Sequence, residues 1–106
     1  MRIPVWMDVD TGIDDAIALM VLHALPTLDV RALSAVCGNS PLSATFRNTR
    51  SMNTILKSNY PVYAGADRPL MREPVHAPAV HGANGLGDVP RAYPSWLPST
   101  LGYCCR

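Results

Sequence analysis

Apolar and polar positions along this chain follow two different periods. Residues 3–8 carry Ile3, Val5 and Trp6 with little polarity between them, which predicts a short buried strand over Ile3–Asp8. From Asp14 to Leu25 the apolar residues follow one another almost without a break: Ala16, Ile17, Ala18, Leu19, Met20, Val21, Leu22. Such a segment predicts a helix covered on nearly every side, not one with a wet face. Asp14 and Asp15 fall in its first turn, at the positive end of the helix dipole, and Pro26 stops it. Val30–Val36 predicts a second strand. Ser40-Pro41 predicts a helix start, a capping side chain followed by proline in the first turn. Leu42, Phe46, Met52, Ile55 and Leu56 then mark one face of that helix to about Lys57. Pro61–Ala64 predicts a third short strand.

Strand, helix, strand, helix, strand implies parallel strands joined by helical crossovers, an α/β fold built on a partial parallel sheet. In such sheets chemistry collects beyond the carboxyl ends of the strands. Seven of the ten prolines follow Tyr60, so regular structure concentrates in the first part of the chain and the rest is mostly loop. No internal repeat is visible. With 106 residues, 48% hydrophobic and 16% charged, the chain is one small domain or a piece of a larger one, and neither a disordered tail nor a coiled coil. A net charge of +1 gives no nucleic-acid footprint. No apolar run approaches the roughly 18–20 residues that span a bilayer, and no signal-peptide pattern opens the chain. Three cysteines, two of them adjacent at Cys104 and Cys105, make no disulfide framework, so a reducing cytoplasmic setting is the expectation.

The candidate chemistry sits where the first strand ends. Asp8-Val9-Asp10-Thr11-Gly12-Ile13-Asp14-Asp15 holds four of the eight acidic residues. Strand alternation gives Asp8 and Asp10 one direction, Gly12 allows a sharp turn, and Asp14 and Asp15 return from the helix start. Carboxylates gathered this way repel one another unless a cation or protons intervene, and a hard divalent ion, calcium or magnesium, meets that need. The plain alternative is helix capping with solvated turn carboxylates. The calcium loop of helix-loop-helix proteins is excluded, because the position of its turn glycine, counted from Asp8, holds Ile13.

The segment Asp8-Val9-Asp10-Thr11-Gly12-Ile13-Asp14-Asp15-Ala16-Ile17-Ala18-Leu19 resembles the amino-terminal signature of the inosine/uridine-preferring nucleoside hydrolases. Cys37-Gly38-Asn39-Ser40-Pro41-Leu42 resembles that family's Gly-Asn turn, and Pro61-Val62-Tyr63-Ala64-Gly65-Ala66 its third strand. His81-Gly82-Ala83-Asn84-Gly85-Leu86-Gly87 resembles its later His-Gly loop. The likeness covers residues 3–88, in order and in spacing. It implies a Rossmann-like nucleoside hydrolase fold, truncated, and calcium-dependent hydrolysis of the N-glycosidic bond of ribonucleosides to ribose and free base. By motif position it implies Asp10 as a calcium ligand and general base, Asp15 as a second calcium ligand, Asp14 as a contact to a ribose hydroxyl, and Asn39 in the ribose pocket. Asp8 would support the site from behind. His81 lies in a loop that flanks the active site in the family; contact with the base or a proton is its functional reading, a surface position its plain one. The resemblance also implies a homo-oligomer for an intact parent enzyme, a small ribonucleoside as partner, and neither nucleic acid nor membrane.

The sequence departs from the family in length. The family draws further calcium ligands and the leaving-group acid from later segments, and the likeness fades after Asp88. Residues 1–88 therefore read as the amino-terminal part of a nucleoside hydrolase domain and 89–106 as a Pro-rich divergent end, with the chain alone expected to be inactive. Thr11 stands where many members carry proline; both suit a turn. Two other readings remain open. An Asp-x-Asp after a first strand also marks haloacid-dehalogenase-like magnesium phosphohydrolases, in which Asp8 would be the nucleophile and Asp10 the acid/base. A non-catalytic remnant is the third. Outside the motifs, Trp6 is expected in the core, His23 to pack or cap, His76 to be solvated loop, Cys37 to be small and buried, and Asn48 to fix helix packing. Trp96 has no predicted place.

Overall fold

The computed structural model describes residues 1–88. Three strands, β1 (Ile3–Val9), β2 (Leu28–Ala35) and β3 (Val62–Ala64), alternate with α1 (Ile13–Ala24) and α2 (Leu42–Ile55), and a single turn of helix, α3 (Pro78–His81), precedes the last loop. All pairings are parallel and the sheet order is β1-β2-β3. Right-handed crossovers that advance in one direction place both connecting helices on the same face. The register agrees: Met7 pairs with Leu33 and Leu33 with Val62, a row of side chains under the helices. Val9, Leu33 and Val62 from the strands, Ala16 and Leu19 from α1 and Met52 from α2 form the core, with Leu86 of the last loop packed against it.

The neighbouring row, Asp8, Ser34 and Tyr63, points the other way. Trp6 joins it, stacked on Tyr63 with centroids 5.9 Å apart and donating its indole N–H to Ser34 Oγ at 3.1 Å. Trp6 is 56% exposed, which corrects its expected place in the core. The apolar run could not say which of the two sheet faces the helices would cover.

Two helical expectations also change. In α1 only Ala16 and Leu19 are buried, while Ile13, Ile17, Met20 and Val21 are exposed. An apolar run shows that a helix can be covered, not that the described residues cover it. In α2 the inward stripe is Thr45, Asn48, Thr49 and Met52, and Ile55 is exposed. Polar side chains can line that face because they find partners there: Thr49 donates to Thr45 O at 2.8 Å and Thr45 to Val36 O at 2.8 Å. Ser40 does not cap α2. Pro41 is the N-cap, and its carbonyl accepts from Ala44 and Thr45 at 2.9 and 3.1 Å. The helix α1 stops at Ala24, with Leu25 extended before Pro26, as the ring of a following proline requires. His23 packs as expected, its Nδ1 2.8 Å from Tyr60 Oη. No helix among the described residues is long and apolar enough to cross a membrane. Trp96, Cys104, Cys105 and the divergent end 89–106 lie outside the described residues.

Candidate active site

The carboxyl ends of β1 and β2 lie side by side, and each opens into a turn that feeds a helix. Asp10 follows the last residue of β1, and Asp15 sits in the first turn of α1. The short turn between them folds back, so the Asp10 N–H donates to Asp15 Oδ2 at 2.9 Å. The Asp10 carboxylate reaches across to the β2 turn, where Oδ2 accepts the Asn39 N–H at 2.9 Å. That approach needs Gly38: a Cβ there would stand 2.2 Å from Asp10 Oδ2. One carboxylate is thus held by the backbone of the next strand's turn, and the other by the backbone of the first carboxylate.

The electrostatics follow. Burial pushes the Asp15 carboxyl up to about 6, and the Asp10 and Asp14 carboxylates push the same way, against the hydrogen bond from Asp10 N–H. Asp14 is exposed beside the pair. Asp8 does not join it. The strand ends at Val9, so alternation does not carry on to Asp10; the Asp8 carboxylate faces the open sheet side and accepts from the Ser34 hydroxyl. Asp10 and Asp15 meet here with Asp14 beside them, and of the four carboxylates expected only Asp8 lies elsewhere.

The resemblance implies calcium, and the donors can be tested against it. Among the described residues no group of three or more His, Cys, Asp or Glu could hold a metal ion. Asp10 and Asp15 nevertheless offer adjacent carboxylate oxygens, the donor type that a hard cation takes, and their mutual repulsion is what a cation would relieve. They fit as part of a shell that takes about 6–8 oxygens.

The 76–88 segment closes over these turns. His81 is 8% exposed; its Nδ1 accepts from the Ile13 N–H at 3.4 Å, at the start of α1. Its side chain is therefore buried rather than on the surface. His76, expected as solvated loop, is exposed but tethered, its Nδ1–H donating to Gly38 O at 2.9 Å, and the Ala77 N–H donates to Asn39 O at 2.9 Å. Cys37 is half-buried and free. Asn48 does more than pack α2: its Nδ2 donates to Thr11 O at 3.1 Å and to Asn84 O at 2.9 Å. Thr11 is fully buried, its hydroxyl 2.8 Å from that of Thr49. The 45, 48, 49, 52 spacing was legible in the sequence as a stripe, but its polarity hid it from a search for apolar faces.

The chain matches the family described as inosine-uridine preferring nucleoside hydrolase over residues 5–101. It is 44% identical over 99 residues to a pyrimidine-specific ribonucleoside hydrolase of Salmonella arizonae, covering 92% of this chain and 32% of that protein. A counterpart from Citrobacter koseri is 43% identical over 101 residues, with 94% and 32% covered. Among solved structures, a plant nucleoside hydrolase superposes with a TM-score of 0.86 at 30% identity, covering 97% of this chain and 33% of that one. An inosine-guanosine nucleoside hydrolase gives 0.76 at 29%, with 86% and 29% covered. The chain spans about a third of the length of the curated relatives it matches.

Proposed function

This chain belongs to the inosine-uridine preferring nucleoside hydrolase family, and from that premise we propose that its residues form the first part of a calcium-dependent site that hydrolyses the N-glycosidic bond of ribonucleosides. The observation that carries this reading is the Asp10–Asp15 pair, two carboxylates pinned together by backbone hydrogen bonds at the end of β1. Glycosidic cleavage passes through an oxocarbenium-like transition state, which needs an activated water and negative charge near the sugar. Asp10 and Asp15 would hold the calcium ion, which when bound supplies a water of lowered pKa. Asp10 would take the proton from that water as general base, its orientation kept by the Asn39 N–H. Asp14, exposed beside the pair, would accept from a ribose hydroxyl, and Asn39 would line the ribose pocket. His81, on the loop over α1, would flank the base. Asp8 is spent on Ser34, which also leaves it poorly placed as the nucleophile of a phosphohydrolase. A small ribonucleoside as substrate, a homo-oligomer as the assembly and the cytoplasm as the compartment complete the reading.

No described residue is assigned to protonate the departing base, so the 106 residues by themselves are proposed to turn over nucleoside poorly. The test does not ask them to act alone. A chimera carries this segment in place of the matching segment of the 44% identical relative. It is expected to release free base from uridine only with calcium present, and Asp10→Ala is expected to lower that rate by about 10²–10⁴-fold or more. Near-normal release by the Asp10→Ala chimera would reject the assignment.

A further inference from the structure

Asn48 is wholly buried, and its two ends are treated unequally. Nδ2 spends both hydrogens, one on Thr11 O in the turn after β1 and one on Asn84 O in the loop after α3. Oδ1 has no partner. Thr49 donates to Thr45 O, so the hydrogen between Thr11 and Thr49 comes from Thr11 and is used on Thr49, and neither threonine hydroxyl is left to supply one. Burying an unpaired acceptor is costly, and a native protein keeps such a group where something else is gained. Only an amide of this length supplies two donors here. Aspartate would set a carboxylate against two carbonyls, leucine would supply no donor, and glutamine needs room that a fully buried site lacks. The loop side is fitted as tightly: a Cβ on Gly85 would lie 2.9 Å from Asn48 Nδ2 and 2.7 Å from Ser40 Oγ.

We propose that Asn48 is a positioning residue: its amide clamps the loop after α3 onto the turn that bears Asp10, so that loop and turn form one unit. The clamp stands on the hydrogen bonds alone; its consequence for calcium rests on the function proposed above. The test is residue-resolved hydrogen exchange on the full 106-residue chain, with no substrate. The reporters are the Gly87 amide in the loop, bonded to His81 O, and the Asp10 and Asn39 amides in the turns. The Leu33 amide, bonded to Pro61 O between β2 and β3, is the reference. In Asn48→Ala the three reporters are expected to exchange about tenfold faster or more while Leu33 keeps its rate, the signature of a local opening. Gly85→Ala crowds the same amide, and strains the backbone at φ +79°, from the loop after α3 without cutting into α2, and is expected to give the same pattern. A uniform rise that includes Leu33 in both variants, or no rise in either, overturns the clamp. Calcium titration of the chimera defined above, with and without Asn48→Ala, is expected to show affinity reduced about 10–100-fold, as for other residues that orient metal ligands. A wild-type chimera that takes up no calcium counts against the proposed function, while the exchange pattern still decides the clamp.

Discussion

At Gly38 one missing methyl group sets the geometry of the pair. A Cβ there would lie 2.2 Å from Asp10 Oδ2 and 2.7 Å from Asp10 Cβ, so the carboxylate would have to swing away and lose the Asn39 N–H. Gly38→Ala is therefore expected to weaken calcium binding about 10–100-fold and to cost about 1–3 kcal/mol of stability through overpacking. Calorimetric titration together with a thermal melt checks this; unchanged affinity would mean that Asp10 does not need that approach. The sequence showed Gly38 and Asn39 as a motif at the right strand end. It could not show that Asn39 holds Asp10 through its backbone, because a main-chain donor leaves no trace in side-chain identity. The misplacement of Asp8 has a similar origin. Alternation applies only while the strand lasts, and the chain leaves it at Val9.

At the level of elements, the order and type of the three strands and of α1 and α2 were legible from their residue patterns, with bounds moved by one or two residues, while the single turn α3 fell in a stretch read as loop. What each helix touches was not legible. The inward face of α2 is a threonine and asparagine stripe whose hydroxyls are closed in a chain from Thr11 to Thr49 to the Thr45 carbonyl. This arrangement predicts coupling between the turn after β1 and helix α2. Thr49→Val leaves the Thr11 hydroxyl buried without an acceptor, a loss of about 1–3 kcal/mol. Thr11→Val removes the donor instead. The double variant is expected to lose clearly less than the two single losses together, since nothing polar is then stranded. Denaturant unfolding of the four proteins measures the cycle. Strict additivity would show that the two hydroxyls, 2.8 Å apart, contribute independently.

On the scale of the whole molecule, the described residues form a layered unit that is finished on one side only. Helices α1 and α2 cover the row of Met7, Leu33 and Val62, while Trp6 and Tyr63 stack on the opposite face. The outer side of α1 presents Ile13, Ile17, Met20 and Val21 to solvent, and β1 and β3 each have one strand partner among the described residues. Unpaired strand edges template further pairing, and contiguous exposed apolar surface favours association. A net charge of +1 supplies little repulsion to oppose it. The 106-residue chain is therefore expected to self-associate as its concentration rises, visible as a concentration-dependent sedimentation coefficient and as binding of an apolar dye. If the face of α1 drives this, Ile17→Lys with Val21→Lys should shift the chain towards monomer and reduce dye binding, with little change in helix content because both side chains are already in water. If the sheet edge drives it instead, those charges will change little. A chain that sediments as a monomer at every concentration and binds no dye would show that these surfaces are covered in solution.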